Sequence, residues 1–256
     1  MSDKEKLRLY GFNNLTKNLS FSFYKLHYLK SNEDHNEYNR YVNDKYSAAN
    51  LSHLLTKICH AIGGNILNIA QQNYQPQGAS VTLMISEEAQ AKSLVGHLDK
   101  SHICVHTYPD DNIQNNIAIF RADIELSTCG VISPLNVLNY LIDEFAADVI
   151  DIDYRVRGMT RNFNGDKQFN DQEILSVSEY LSDLHLANYH LDSSNLIQDK
   201  LFYSKLCLKG VQLNESIFRG TTPNIANQQL SDIASQKDSI TSKILNEREQ
   251  LFKKLS

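Results

Sequence analysis

Two stretches of this 256-residue chain alternate apolar and polar side chains so regularly that only half-buried strands suit them. In 117–126, Ala118, Phe120, Ala122, Ile124 and Leu126 alternate with Ile119, Arg121, Asp123 and Glu125. In 149–157, Ile150, Ile152, Tyr154 and Val156 alternate with Asp151, Asp153, Arg155 and Arg157. Successive side chains on a strand point to opposite faces, so one face must be covered while the other can meet water. Two shorter stretches follow the same rule. Val81, Leu83 and Ile85 oppose Ser80, Thr82 and Met84, while Ile103 and Val105 oppose His102, Cys104 and His106. The pattern predicts an α+β fold: a two-layer sandwich of a mainly antiparallel sheet with helices on its apolar face.

The covering helices are also legible. Leu51, Leu54, Leu55, Ile58 and Ile62 fall on one helical face, with Asn50 as the expected N-cap and Gly63–Gly64 as the stop. Ser133–Pro134 predicts a capped start for a second helix over 134–146, carrying Leu135, Leu138, Leu141, Ile142 and Phe145 inward. From about Asn170 the chain reads as a helical C-terminal extension ending in a terminal helix over 238–256. The polar faces of 80–86, 101–107 and 117–125 are then expected to lie together, away from the helices, with any chemistry on that side.

Charge narrows the function. Lys and Arg number 25 against 30 Asp and Glu, a net −5, which argues against nucleic acid as a partner because phosphate binding needs clustered positive charge. No run of 18 apolar residues occurs, so no membrane helix is expected. The N-terminal MSDKEKLRLYGFNNLTK lacks the uninterrupted apolar core of a secretory signal, which points to a cytoplasmic address. Cys59, Cys104, Cys129 and Cys207 form no CxxC pair and read as free thiols, with Cys59 packed inside the first helix.

Common catalytic fingerprints are absent: there is no GxGxxG, P-loop, GxSxG or HExxH. The segment HLDKSHICVHTYP, beginning at His97, instead puts Ser101 within a few positions of His102, His106 and the Cys104 thiol. On the residues alone this is either a strand with a His-rich polar face or a zinc-binding module using His102, Cys104 and His106. Neighbours along one flat strand converge poorly on a single ion.

This segment, followed by FRADIELSTCGVISPLNVLNYL and preceded by GFNNLTKNLSF, resembles the bacterial S-adenosylmethionine decarboxylase proenzymes of the long type. NILNIAQQNYQPQGASVTLMISEE and DIDYRVRGMTRN are similar to the same family, in collinear order from about Leu9 to Phe163. The resemblance implies a pyruvoyl (pyruvate) cofactor made from Ser101. By that analogy the Ser101 hydroxyl attacks the Lys100 carbonyl, and one domain is cut into a β chain of residues 1–100 and an α chain of 101–256. His106 matches the proton acceptor of this processing, and Ser80 lines up with a serine that assists it in shorter relatives.

In turnover, the resemblance implies a Schiff base between S-adenosyl-L-methionine and the Ser101-derived carbonyl, with Cys129 as proton donor. Phe12 is a candidate for stacking on the adenine. No family role transfers to Cys104. The products would be carbon dioxide and the aminopropyl donor for spermidine. The implied assembly is a homo-oligomer of αβ pairs, and activation by Mg²⁺ is left open. The rival from another class is a non-catalytic paralogue that binds a partner decarboxylase.

Overall fold

The computed structural model describes residues 14–29, 31–86, 101–109, 116–129, 132–162, 164–170, 172–210 and 227–255. Lys100 and Phe12 lie outside them. The strands in chain order are β1 (Thr16–Tyr28), β2 (Asn65–Asn73), β3 (Ala79–Ser86), β4 (His102–Pro109) and β5 (Ile117–Cys129). They continue with β6 (Val149–Arg157), β7 (Thr160–Arg161), β8 (Lys167–Gln168), β9 (Tyr189–Leu196) and β10 (Leu201–Leu208). Eight of them form one sheet in the order β2-β3-β4-β5-β1-β6-β10-β9, with every neighbouring pair antiparallel. The helices are α1 (Asn32–Lys45), α2 (Ala48–Ala61), α3 (Leu138–Phe145), α4 (Asp183–Asn188) and α5 (Asn227–Leu255).

The alternation was a correct guide to burial. Val81, Leu83, Ile103, Val105, Phe120 and Ile124 are all buried in one core beneath α2 and α3. Leu51, Leu55 and Ile58 of α2 and Leu138, Leu141 and Phe145 of α3 belong to the same core. Phe23 stacks on Phe145 with ring centroids 4.0 Å apart, and Tyr46 on Phe120 at 4.1 Å. Removing this much apolar surface from water is the main force holding helices to sheet. Cys59 is buried there as expected, and burial pushes its thiol up to about 11.

Four local readings need correction. The cap of α2 is Ser47, whose Oγ accepts from the Asn50 N–H at 3.3 Å; Asn50 instead donates its side-chain amide to the Asp44 carbonyl at 2.7 Å. The segment from Pro134 is a 3₁₀ turn, Pro134–Val137, before α3 begins, and the Ser133 hydroxyl makes no capping bond. The last third is helical only in part, because β9 and β10 extend the sheet on the β6 side. The helices also do not all lie on one face. Ile233 of α5 packs with Leu26, Tyr28 and Ile117, whose parity along β1 and β5 places them on the polar face.

Two devices fix the sheet's ends. Asn14 grips the turn after β6: its N–H donates to the Met159 carbonyl at 3.0 Å, and its Oδ1 accepts from the Met159 N–H at 2.7 Å. Gly158 lets the backbone pass, with φ +82 and an added Cβ only 2.2 Å from the Asn14 oxygen. At the opposite end, Lys25 lies 4.0 Å from the buried Asp148 carboxylate and donates to the Ala146 carbonyl at 2.6 Å. Lys237 of α5 donates to the carbonyls of Leu208 and Gly210 at 2.5 and 2.6 Å, tying the helix to the end of β10.

Candidate active site

The site is assembled where β4 begins and β5 ends. Ser101 immediately precedes β4 and is only 3% exposed; its carbonyl accepts from the Ile85 N–H on β3 at 3.3 Å. Its Oγ accepts from the Cys129 N–H at 3.2 Å and lies 3.2 Å from Cys129 Sγ. Cys129 is the last residue of β5, so its thiol reaches the polar face while Thr128 points into the core. Thr128 Oγ1 donates to the Ile132 carbonyl at 2.9 Å.

Beyond this pair the polar face is laid out in rows, because antiparallel register sets paired residues side by side. Thr16 and Arg157 continue the Cys129 row. The next row holds Met84, His102, Ser127, Asn18 and Arg155, with Ser127 Oγ donating to Asn18 Oδ1 at 3.0 Å. Then come Thr82, Cys104, Glu125, Ser20 and Asp153, where Ser20 Oγ donates to Glu125 Oε1 at 2.6 Å. Ser80, His106, Asp123, Ser22 and Asp151 follow.

Electrostatics differ between the rows. Burial lowers the His102 imidazole below its usual range. Burial raises the Glu125 carboxyl, Asp153 and Asp123 push the same way, and the Ser20 bond opposes them. Cys104 is raised by burial and by the neighbouring Glu125, so it is a poor thiolate.

The residues singled out from sequence therefore separate into two groups. Ser101 and Cys129 are brought into contact. Ser80 and His106 are cross-strand partners, with the Tyr74 hydroxyl donating to Ser80 Oγ at 2.8 Å. His106 shares the polar face with Cys129, yet it is five residues from Ser101 along an extended strand, about 16 Å. His102, Cys104 and His106 spread along β4, and no cluster of metal-ligating side chains occurs among the described residues. Sequence reasoning missed Thr16, Asn18 and Ser20, which alternate with Leu15, Leu19 and Phe21 and carried the same strand signal.

A family model described as S-adenosylmethionine decarboxylase matches residues 40–158. The S-adenosylmethionine decarboxylase proenzyme of Photorhabdus laumondii is 45% identical over 261 residues, spanning 96% of this chain and 96% of that protein. The chain belongs to the S-adenosylmethionine decarboxylase family.

A proenzyme of the same name from Pseudomonas syringae is 44% identical over 263 residues and 97% of each chain. Among solved structures, the adenosylmethionine decarboxylase of Aquifex aeolicus aligns with a TM-score of 0.37 at 17% identity, over 56% of this chain and 91% of that one. Trypanosoma brucei AdoMetDC aligns at 0.36 and 12%, over 76% of this chain and 66% of that one. The Ser101–Cys129 contact lies where β4 begins and β5 ends. It sets a hydroxyl beside a thiol.

Proposed function

We propose that this chain makes a carbonyl cofactor from Ser101 and decarboxylates S-adenosyl-L-methionine, giving carbon dioxide and the aminopropyl donor for spermidine. The observation that carries the reading is the 3.2 Å contact of Ser101 Oγ with Cys129 Sγ, on a face left open by α2 and α3. A paralogue that only binds a partner has no need of that pair. Near-complete alignment with proenzymes supports the same choice.

Cofactor formation uses the chain's own atoms. Ser101 Oγ attacks the Lys100 carbonyl carbon, the Lys100–Ser101 C–N bond breaks, and an ester replaces the amide. A base then takes the Ser101 α-proton and the Lys100 carboxylate leaves. Water hydrolyses the resulting enamine to a ketone and ammonia, leaving chains of residues 1–100 and 101–256 of a single domain. The pyruvoyl group so formed fits the end of β4 beside Cys129 and supplies the electron sink that decarboxylation of an amino acid requires. Cys129 holds a proton at Sγ, next to Ser101, and delivers it to the substrate's Cα after carbon dioxide departs.

The processing base is His106, helped by Ser80. At about 16 Å along the strand it cannot serve the Ser101 of its own chain. It therefore acts on a second copy, and the functional unit is a homo-oligomer of αβ pairs. No described helix is long and apolar enough to cross a membrane, and we assign the enzyme to the cytoplasm. Ser101→Ala tests the reading at its source. The variant should remain one uncut 29.2 kDa chain that releases no carbon dioxide. Carbon dioxide release from it would overturn the Ser101-derived cofactor.

A further inference from the structure

One polar group beside the Ser101–Cys129 pair has no part in this chemistry. His102 follows Ser101 directly and is half-buried on the polar face between Met84 of β3 and Ser127 of β5. Its row is about 7 Å from the row of Cys129, two residues along a strand. In the substrate the sulfonium sulfur is three bonds from Cα, roughly 4 Å away at ordinary bond lengths. With Cα at the Cys129 thiol, the sulfur reaches the edge of the His102 row.

The flanks of the site differ in charge. On the β6 side stand Arg155 and Arg157, which repel a cation. On the β4 side stands His102, and the next row along brings Glu125 of β5, with Asp153 beyond Ser20 on β6. A sulfonium leaving the reaction centre is thus driven away from Arg155 and Arg157 and toward His102 and Glu125.

We propose that His102 is a specificity-determining residue that seats the substrate's sulfonium centre, an inference that rests on the decarboxylase reading above. Uncharged, the ring offers a cation its π face and a ring nitrogen lone pair. Protonated, it repels the same cation at close range. Burial favours the uncharged ring. The titratable and charged groups nearest it on its face are Cys104 of β4, Glu125 and Cys129 of β5, and Asp153, Arg155 and Arg157 of β6, with His106, Asp123 and Asp151 two rows along; β3 presents Met84 and Thr82.

The test compares two ligands by equilibrium titration. One is the sulfonium product S-adenosyl 3-(methylthio)propylamine; the other is its thioether counterpart lacking the sulfur methyl group and its charge. In the wild type, the preference for the sulfonium should fall only as pH drops below the ordinary imidazole range, because burial lowers His102. His102→Gln should lose that part of the pH dependence, keeping only what Glu125 contributes. His102→Lys should weaken the sulfonium roughly tenfold or more while sparing the thioether. A flat wild-type preference, an unchanged pH profile in His102→Gln, or equal losses for both ligands would overturn the proposal. Neither ligand is turned over, so the titrations stand even if a variant is left uncut. Wild-type protein that released no carbon dioxide from S-adenosylmethionine would instead defeat the decarboxylase reading.

Discussion

Thr128 and Cys129 are adjacent, yet strand parity gives them opposite tasks. The threonine is in the core, donating to the Ile132 carbonyl, and the cysteine is on the polar face at Ser101. The same parity explains His27. It is 1% exposed, lies against the rings of Tyr38 and Tyr41, and has neither ring nitrogen hydrogen-bonded. Burial, reinforced by Lys25 and Lys45, lowers it to about 3. Between that value and its ordinary pKa of about 6.5 the unfolded chain holds more protons than the folded one. Stability should therefore be intact above the upper limit and fall on acidification by about 1.4 kcal/mol per pH unit through that window. His27→Phe should remove that share of the slope in denaturant melts taken across it. An unchanged slope would mean that His27 accepts a proton without cost.

At the scale of elements, Gly158 is the point most exposed to change. Gly158→Ala would force both a left-handed φ and a clash with the Asn14 carbonyl. We expect a loss of about 1–3 kcal/mol in chemical denaturation; wild-type stability would contradict the clamp. The strands were readable wherever one face was covered and the other wet, as in β5 and β6. β1 carried the same signal, but Lys17, fully buried on its apolar face, interrupts the pattern. β2 is a largely exposed edge strand with no apolar periodicity. α1 buries only Tyr38 and Val42; its legible mark was the capping box of Ser31 and Asp34 rather than any apolar stripe. β9 is half polar and exposed, which hid the strand pair in the last third.

For the whole molecule, the motifs nominate residues but carry no distances. A linear segment cannot tell that Ser101 finds Cys129, 28 positions away, while His106, 5 positions away, lies out of reach. Co-expressing Ser101→Ala with His106→Ala tests the resulting division of labour. The His106→Ala chain, which keeps its serine, should be cut when the Ser101→Ala chain supplies a histidine. Failure to cut there, alongside normal cutting of wild type, would contradict action between copies. Ile233 of α5 covers the far end of the polar face, so the helix limits where a second copy can approach there. The central claim is that one residue makes the cofactor and its neighbour uses it. The most direct measurement is of Cys129→Ala, with intact mass and carbon dioxide release read on the same preparation. Two chains, of 100 and 156 residues, with decarboxylation slowed roughly 10²–10⁴-fold, are predicted. Full activity in the cleaved variant would contradict the account.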